Sequence, residues 1–143
     1  NSIVTVRSGQ PFTPSLGVSS ANTGDPRPNR IGNGNLPSDQ RSIQHWFDQS
    51  AFVSPPQYQY GNAGRNVLIG PGASNIDLSL FKRFPLSRLR EGTELQFRAE
   101  AFNFLNHPQF GQPNARVDLP VGGTITSLST PMRQLQFGLK LLF

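Results

Sequence analysis

The clearest alternation of hydrophobic and polar positions lies at the end of the chain. From residue 135 every odd position is apolar and the even positions are mostly polar or small; the odd positions are Leu135, Phe137, Leu139, Leu141 and Phe143. A period of two indicates a β-strand with one apolar and one polar face. Such an apolar strand is unusual at a terminus, because terminal residues are commonly solvated. We therefore interpret it as an outer-membrane barrel strand, with the odd face toward lipid and the even face toward the lumen.

Three earlier segments also predict strands. Residues 1–14 begin with the β-branched run Ser2–Arg7, which two prolines then end. Residues 75–84 resume the alternation of apolar and polar positions. Residues 93–104 alternate as well. Their Glu, Ala and Arg content favours a helix, but the two-residue period from 94 to 100 favours a strand.

Three connections separate these strands. Residues 15–74 are rich in Gly, Pro, Asn and Ser and predict a long loop, with a helical turn at 43–48 and a short extended piece at 57–60. Residues 85–92 predict a short turn, and residues 105–131 a second long loop. Outer-membrane barrels have short periplasmic turns and long extracellular loops. If the last strand runs toward the periplasm, both long loops are external and the short turn is periplasmic.

The predicted fold class is therefore all-β, with antiparallel up-and-down strands of an outer-membrane β-barrel. Residues 75–143 would supply three of about four strands. With about four strands, the predicted sheet is incomplete as a barrel on its own.

Composition narrows the classes of protein further. Hydrophobic residues make up only 35% of the chain and the mean hydropathy is -0.39, which argues against an ordinary globular core. No apolar run is long enough for a transmembrane helix. The absence of cysteine excludes disulfides and thiolate metal sites. The net charge of +5 comes from scattered arginines without a basic run, so we predict no nucleic-acid partner.

No pattern predicts catalysis, a cofactor or a metal. His45 and His107 are far apart in sequence and lack neighbouring ligands. The glycine-rich stretch 61–66 lacks the Gly-Lys-Ser/Thr end of a phosphate loop, and no Gly-x-Ser-x-Gly elbow occurs. Glu94 and Glu100 share a predicted strand face with Arg98, which favours a lumenal charge ladder over an acid–base pair. The sequence therefore predicts a protein that is not an enzyme.

A series of motifs carries a family resemblance, in one order along the chain. These motifs lie at 8–13, 46–47, 51–52, 60–66, 70–72, 77–82, 96–103, 106–111 and the C-terminal Phe143. On these residues the chain resembles the C-terminal end of TonB-dependent outer-membrane receptors, of the acidobacterial type that carries an N-terminal carboxypeptidase-regulatory-like domain. The resemblance implies energised uptake of a nutrient, such as a siderophore or glycan, across the outer membrane of a Gram-negative bacterium. It also implies a plug domain and a barrel of about 22 strands, most of them outside this sequence.

The resemblance also implies partners and an assembly signal. The partners are outer-membrane lipid, the plug and remaining strands, and the barrel-assembly machinery, whose signal would be Gly138, Leu141 and Phe143.

Aromatic residues in the first long loop either contact a ligand or pack the loop on itself; they are Trp46, Phe47, Tyr58 and Tyr60. Basic residues near the short turn either bind lipid headgroups or are solvated; they are Lys82, Arg83, Arg88 and Arg90.

Two other classes of function stay open at this point. Strands with unpaired edges invite strand addition from another copy, so the chain could self-associate into an oligomer or a filament, as a released fragment at the cell surface. A secreted β-domain that binds carbohydrate is the third class, and it predicts a second sheet over the apolar face.

Overall fold

The computed structural model describes residues 1–22, 24, 26–86 and 92–143. The strands of these residues are β1 (Ser2–Arg7), β2 (Pro11–Phe12), β3 (Asn29–Arg30), β4 (Phe52–Val53), β5 (Leu68–Ile69), β6 (Ala73–Pro85), β7 (Glu94–Phe102), β8 (Gln109–Phe110), β9 (Leu128–Thr130) and β10 (Gln134–Leu142). Two short 3₁₀ turns lie at Ser38–Gln40 and Gln49–Ala51. No helix in this part of the chain is long and apolar enough to cross a membrane.

Four long strands form one antiparallel sheet, which we call the barrel sheet. Its order is β1-β6-β7-β10, so β1 and β10 are its edge strands and the sheet is not closed. Glu94 of β7 lies between two neighbours in the register: it is opposite Leu142 of β10 on one side and opposite Pro85 of β6 on the other. The predicted fold class, antiparallel barrel-type strands that do not close a barrel, is confirmed.

The register gives the barrel sheet two chemically different faces, because directly opposed residues point to the same side. The apolar face carries Val4, Val6, Ile76, Leu78, Leu80, Lys82, Phe84, Leu95, Phe97, Ala99, Ala101, Leu135, Phe137, Leu139 and Leu141, with Ser2 and Ser74 at its edge. The polar face carries the alternate positions. On the apolar face the large side chain of Phe137 is 68% exposed. A secreted β-domain would be expected to bury this face.

The chain divides into two compact units. The first, the barrel unit, contains Asn1–Arg7, Ala73–Gln109 and Thr130–Phe143. The second, the loop unit, contains Ser8–Gly72 and Phe110–Ser129. The loop unit holds the short strand pairs β2–β5 and β3–β4. The two segments predicted as long connections thus supply a folded unit with short elements of its own.

Two local predictions inside the first long connection are wrong. Residues 43–48 form bends and a bridge of Phe47 to Asn35 instead of a helical turn. The helical turn follows at Gln49–Ala51, where the Asp48 side chain accepts a hydrogen bond from the amide of Ser50. Residues 57–60 contain a turn instead of an extended piece. Both errors arise because capping and positive backbone angles, which periodicity does not report, decide such short elements.

The predicted short turn 85–92 lies mostly outside the described residues, as do Arg88 and Arg90. Its two ends are described. The amide of Leu86 donates to the carbonyl of Thr93 at 2.8 Å, which continues the pairing of β6 with β7.

Candidate ligand-binding loops

The loop unit is built on a small hydrophobic core. Its buried members are Phe47, Ala51, Phe52 and Leu68, with Phe12, Val67 and Val117 packed against them. Phe47 is 1% exposed and meets Phe12 and Phe52 edge-to-face, with centroid distances of 5.9 and 6.1 Å. Edge-to-face pairs of aromatic rings add to the stabilisation from burial. Phe47 therefore packs the loop unit and offers no surface to a ligand.

Two polar side chains hold the segment around β5 in place. The Asn35 side chain donates from Nδ2 to the carbonyl of Val67 and accepts at Oδ1 from the amide of Ile69, at 2.7 and 2.9 Å. The indole of Trp46 donates to the carbonyl of Ile69 at 2.9 Å. Each bond satisfies a backbone group that the two-residue strand leaves open. Trp46 is half-buried, with the Arg41 guanidinium 5.6 Å from its ring centroid.

Tyr58 and Tyr60 differ from the other two aromatics. Their side chains are 80% and 74% exposed. The backbone at residues 58 and 59 is hydrogen-bonded: the amide of Tyr58 donates to the carbonyl of Ser20 at 2.7 Å, and the Ser20 hydroxyl donates to the carbonyl of Gln59 at 2.9 Å. Tyr58 also has a φ of 66°, a left-handed conformation that costs a non-glycine residue about 1–2 kcal/mol. Unfavourable backbone conformations of this kind cluster at binding sites.

A charged clamp joins the two stretches of the loop unit. The Arg116 guanidinium donates to both carboxylate oxygens of Asp118, at 2.8 and 2.9 Å, and the amide of Gly17 donates to the same carboxylate at 3.1 Å. The hydrogen bond from Arg116 is the main cause that lowers the pKa of Asp118 from 3.8 to about 2. The same bond raises the pKa of Arg116. The clamp holds Ser15, which is hydrogen-bonded to the backbone of Ala115 and Val117.

In the barrel unit, two buried amides hold the ends of the long strands. The side chain of Asn103 donates from Nδ2 to the carbonyls of His107 and Pro131. The backbone amide of Asn103 donates to the carboxylate of Asp77 at 2.8 Å. Gln109 binds both the amide and the carbonyl of Ser74 through its side chain. Sequence reasoning gave neither residue a role. Asn103 lies in the motif at 96–103 and Gln109 in the motif at 106–111, and membership of these motifs is the sequence signal that could have pointed to them.

The polar face carries paired charges. Arg98 and Glu100 form a salt bridge of 2.5 Å, and Arg83 lies 3.7 Å from Glu94. Gln96 also donates to Glu94 at 2.7 Å. Each carboxylate thus faces a guanidinium group, the arrangement of a charge ladder. No cluster of three or more metal-ligating side chains occurs in the described ranges, which include His45 and His107.

The residues of the proposed assembly signal lie on or beyond the edge strand β10. Gly138 is opposite Arg98 on the polar face, and Leu141 is opposite Leu95 on the apolar face. Phe143 follows the strand and is 89% exposed. The two described basic residues near the short turn lie on opposite faces of the barrel sheet: Lys82 is on the apolar face and Arg83 is on the polar face.

Comparison with known protein families gives a match. The family model described as the outer membrane beta barrel domain matches residues 1–136. No curated protein and no solved structure matches the chain.

Proposed function

Because this chain belongs to the outer membrane beta barrel domain family, and lies in the outer membrane with its lipid, we propose that it forms part of the wall and mouth of a TonB-dependent receptor. The receptor would take up a nutrient, such as a siderophore or a glycan, with energy supplied through TonB. The ordered motifs described above support this specific family. The observation that carries the proposal is the folded loop unit, which has a buried core and also presents two exposed tyrosines.

The two units would divide the work of such a receptor. The barrel sheet offers an apolar face to lipid and a polar face to the lumen. The loop unit would capture the ligand outside the membrane. Tyr58 and Tyr60 are the aromatics that we assign to ligand contact, because both rings are exposed and the backbone at residues 58 and 59 is hydrogen-bonded. Aromatic rings on a fixed backbone lose little conformational entropy on binding. No covalent chemistry is involved.

The proposal requires partners for the two edge strands. β1 and β10 each have one strand neighbour in the barrel sheet, and an open edge in lipid would leave backbone groups unsatisfied. In the receptor, further barrel strands would pair with both edges, and a plug would fill the lumen beside the polar face. The barrel-assembly machinery would read β10 through Gly138, Leu141 and Phe143.

The test uses the whole outer-membrane protein that contains this chain. We expect the purified protein to form a complex with the periplasmic domain of TonB in size-exclusion chromatography. We also expect accumulation of at least one probe from a panel of ferric siderophores and fluorescent oligosaccharides, lost when TonB is deleted. Replacing both Tyr58 and Tyr60 by Ala should weaken binding of that probe, whereas TonB binding should persist. Absence of the TonB complex and of TonB-dependent accumulation would contradict the proposal.

A second function is supported by the same open edges. Unpaired strands can add a strand from another molecule, so we keep self-association into an oligomer or filament as the alternative. The chain released from the membrane would then form rings or fibres that electron microscopy resolves. A monomer in chromatography would refute this alternative.

A further inference from the structure

We propose that the apolar face of the barrel sheet holds one glycerophospholipid of the periplasmic leaflet, with its phosphate on Lys82 and an acyl chain in a groove along β7. The proposal rests on the outer-membrane location and not on the TonB-dependent function. Two separate observations carry it: a single charged side chain on an apolar surface, and a groove beside it.

Lys82 is chemically isolated on its face. It is the one charged residue on the apolar face of the described barrel sheet, where its paired neighbour is Phe97. The nearest charged residues in sequence lie on the other side of the sheet, where Arg83 approaches Glu94. The apolar face therefore supplies no carboxylate to Lys82. In lipid, an ammonium group needs a negative partner from outside the protein.

The position of Lys82 matches the level of lipid headgroups. Lys82 lies three residues before Pro85, the last residue of β6, at the end of the sheet where the short turn begins. Short turns are periplasmic in these barrels. At about 3.4 Å per residue and a tilt of about 45°, Lys82 is some 7 Å inside the rim. Its Nζ atom points toward the rim, since it lies 5.9 Å from the ring of Phe84, two residues nearer the turn. This is the direction in which lysine reaches from an apolar surface to headgroups.

The groove lies on the same face, farther from the rim. It is lined chiefly by Leu78, Leu80, Ala99, Ala101, Leu135 and Phe137. The alanines of β7 form the floor, because each lies between larger side chains of β6 and β10: Leu80 and Phe137 flank Ala99, and Leu78 and Leu135 flank Ala101. Toward Lys82 the next residue of this face on β7 is Phe97, which is stacked on Phe137 with ring centroids 6.4 Å apart. The alanine floor therefore ends one row before Lys82, and an acyl chain in the groove would cross the ring of Phe97 to reach the headgroup at Lys82.

Headgroup and chain positions are compatible with one lipid. The rows of Lys82 and Ala101 are four residues apart along β7, from Phe97 to Ala101. This separation is about 13 Å, well within the length of an acyl chain in a hydrocarbon layer about 30 Å thick. Positive charge at the rim and an unbranched apolar groove above it fit an anionic phospholipid.

The experiment measures lipid retention by the complete outer-membrane protein. The protein is reconstituted in nanodiscs of phosphatidylglycerol and phosphatidylcholine, released, and analysed by native mass spectrometry for bound phosphatidylglycerol. We expect Lys82→Gln to lower retention about fivefold, whereas Lys82→Arg keeps it. Ala99→Phe, which fills the groove and leaves Lys82 intact, should lower retention as well.

Lys140→Gln is the matched control. Lys140 is also a strand lysine, and it is opposite Gln96 on the polar face, so its loss should not change retention. Circular dichroism checks that each variant is folded. Equal retention by Lys82→Gln and the unchanged protein would overturn the proposal, as would an equal loss in Lys140→Gln. Full retention by Ala99→Phe would overturn the assignment of the acyl chain to the groove.

Discussion

The two units of this chain place their apolar residues in opposite ways. The barrel unit has the long, regular strands, yet its large apolar side chains are exposed, as at Leu80 and Leu139. The loop unit has only short elements, yet it buries Phe47 and Leu68 almost completely. Regular structure and a buried core therefore do not occur in the same unit. The difference follows from the solvent: strands in lipid need satisfied backbone groups, whereas loops in water need a core.

The strongest way to break this comparison is to remove the core of the loop unit. Phe47→Ala should destabilise that unit by about 3–5 kcal/mol, because a fully buried ring is replaced by a cavity. The barrel sheet should be unaffected. Hydrogen exchange of the whole outer-membrane protein would show lost protection at residues 8–72 and 110–129, the two stretches of the loop unit, and not in the barrel unit. Tyr58→Ala is the control, since its exposed ring should leave protection unchanged. Equal loss of protection in β6 and β7 would contradict the independence of the two units.

A charge on the apolar face should act on the barrel unit instead. Phe137→Arg should destabilise the barrel by about 2–4 kcal/mol, because the guanidinium would face hydrocarbon near the middle of the sheet. Gln136→Arg, one residue away on the polar face, should have little effect. Denaturant unfolding of the complete protein from lipid vesicles measures both. Similar values for the two variants would mean that the odd positions of β10 do not face lipid.

The barrel unit could be predicted from the sequence far better than the loop unit. Each long strand carries a two-residue period over many positions, so Leu135 to Leu141 and Leu95 to Ala101 were assignable to one face. The loop unit depends on side chains that bind distant backbone, such as Asn35 with Ile69 and Asp118 with Gly17. Such contacts leave no periodic pattern. Of the loop aromatics, the sequence could not separate buried Phe47 from exposed Tyr58, because both lie in polar, turn-rich segments.

A smaller effect should come from the backbone of the loop unit. Tyr58→Gly removes the free-energy cost of a left-handed conformation at a residue with a side chain. Glycine also makes the unfolded chain more flexible, which costs stability, and the first effect is only modestly larger than the second. We expect the loop unit to become more stable by about 0.5–1 kcal/mol, while the proposed ligand contact of this ring is lost. Hydrogen exchange at the amides of residues 58 and 59, which donate to the carbonyls of Ser20 and Pro56, measures the gain. A loss of stability would mean that the exposed ring supports the loop.

The smallest effect should be an acid-dependent change confined to the loop unit. The pKa of Asp118 is lowered in the folded chain to about 2, so its clamp contributes fully above the ordinary value of 3.8 and is lost as the pH falls through about 2. Both side chains are partly exposed to solvent, so the contribution to stability is small. As the pH falls from 3.8 to about 2, the amide of Gly17 should exchange faster in the unchanged protein, relative to the rate of an unstructured peptide at the same pH. Above this acid range Asp118→Asn should exchange faster at Gly17 than the unchanged protein, and it should lose the acid step, because its side chain does not titrate. If Asp118→Asn shows the same acid step, the step belongs to another carboxylate. Hydrogen exchange in the barrel unit, whose paired charges lie on its polar face, should be the same in Asp118→Asn and the unchanged protein over this pH range.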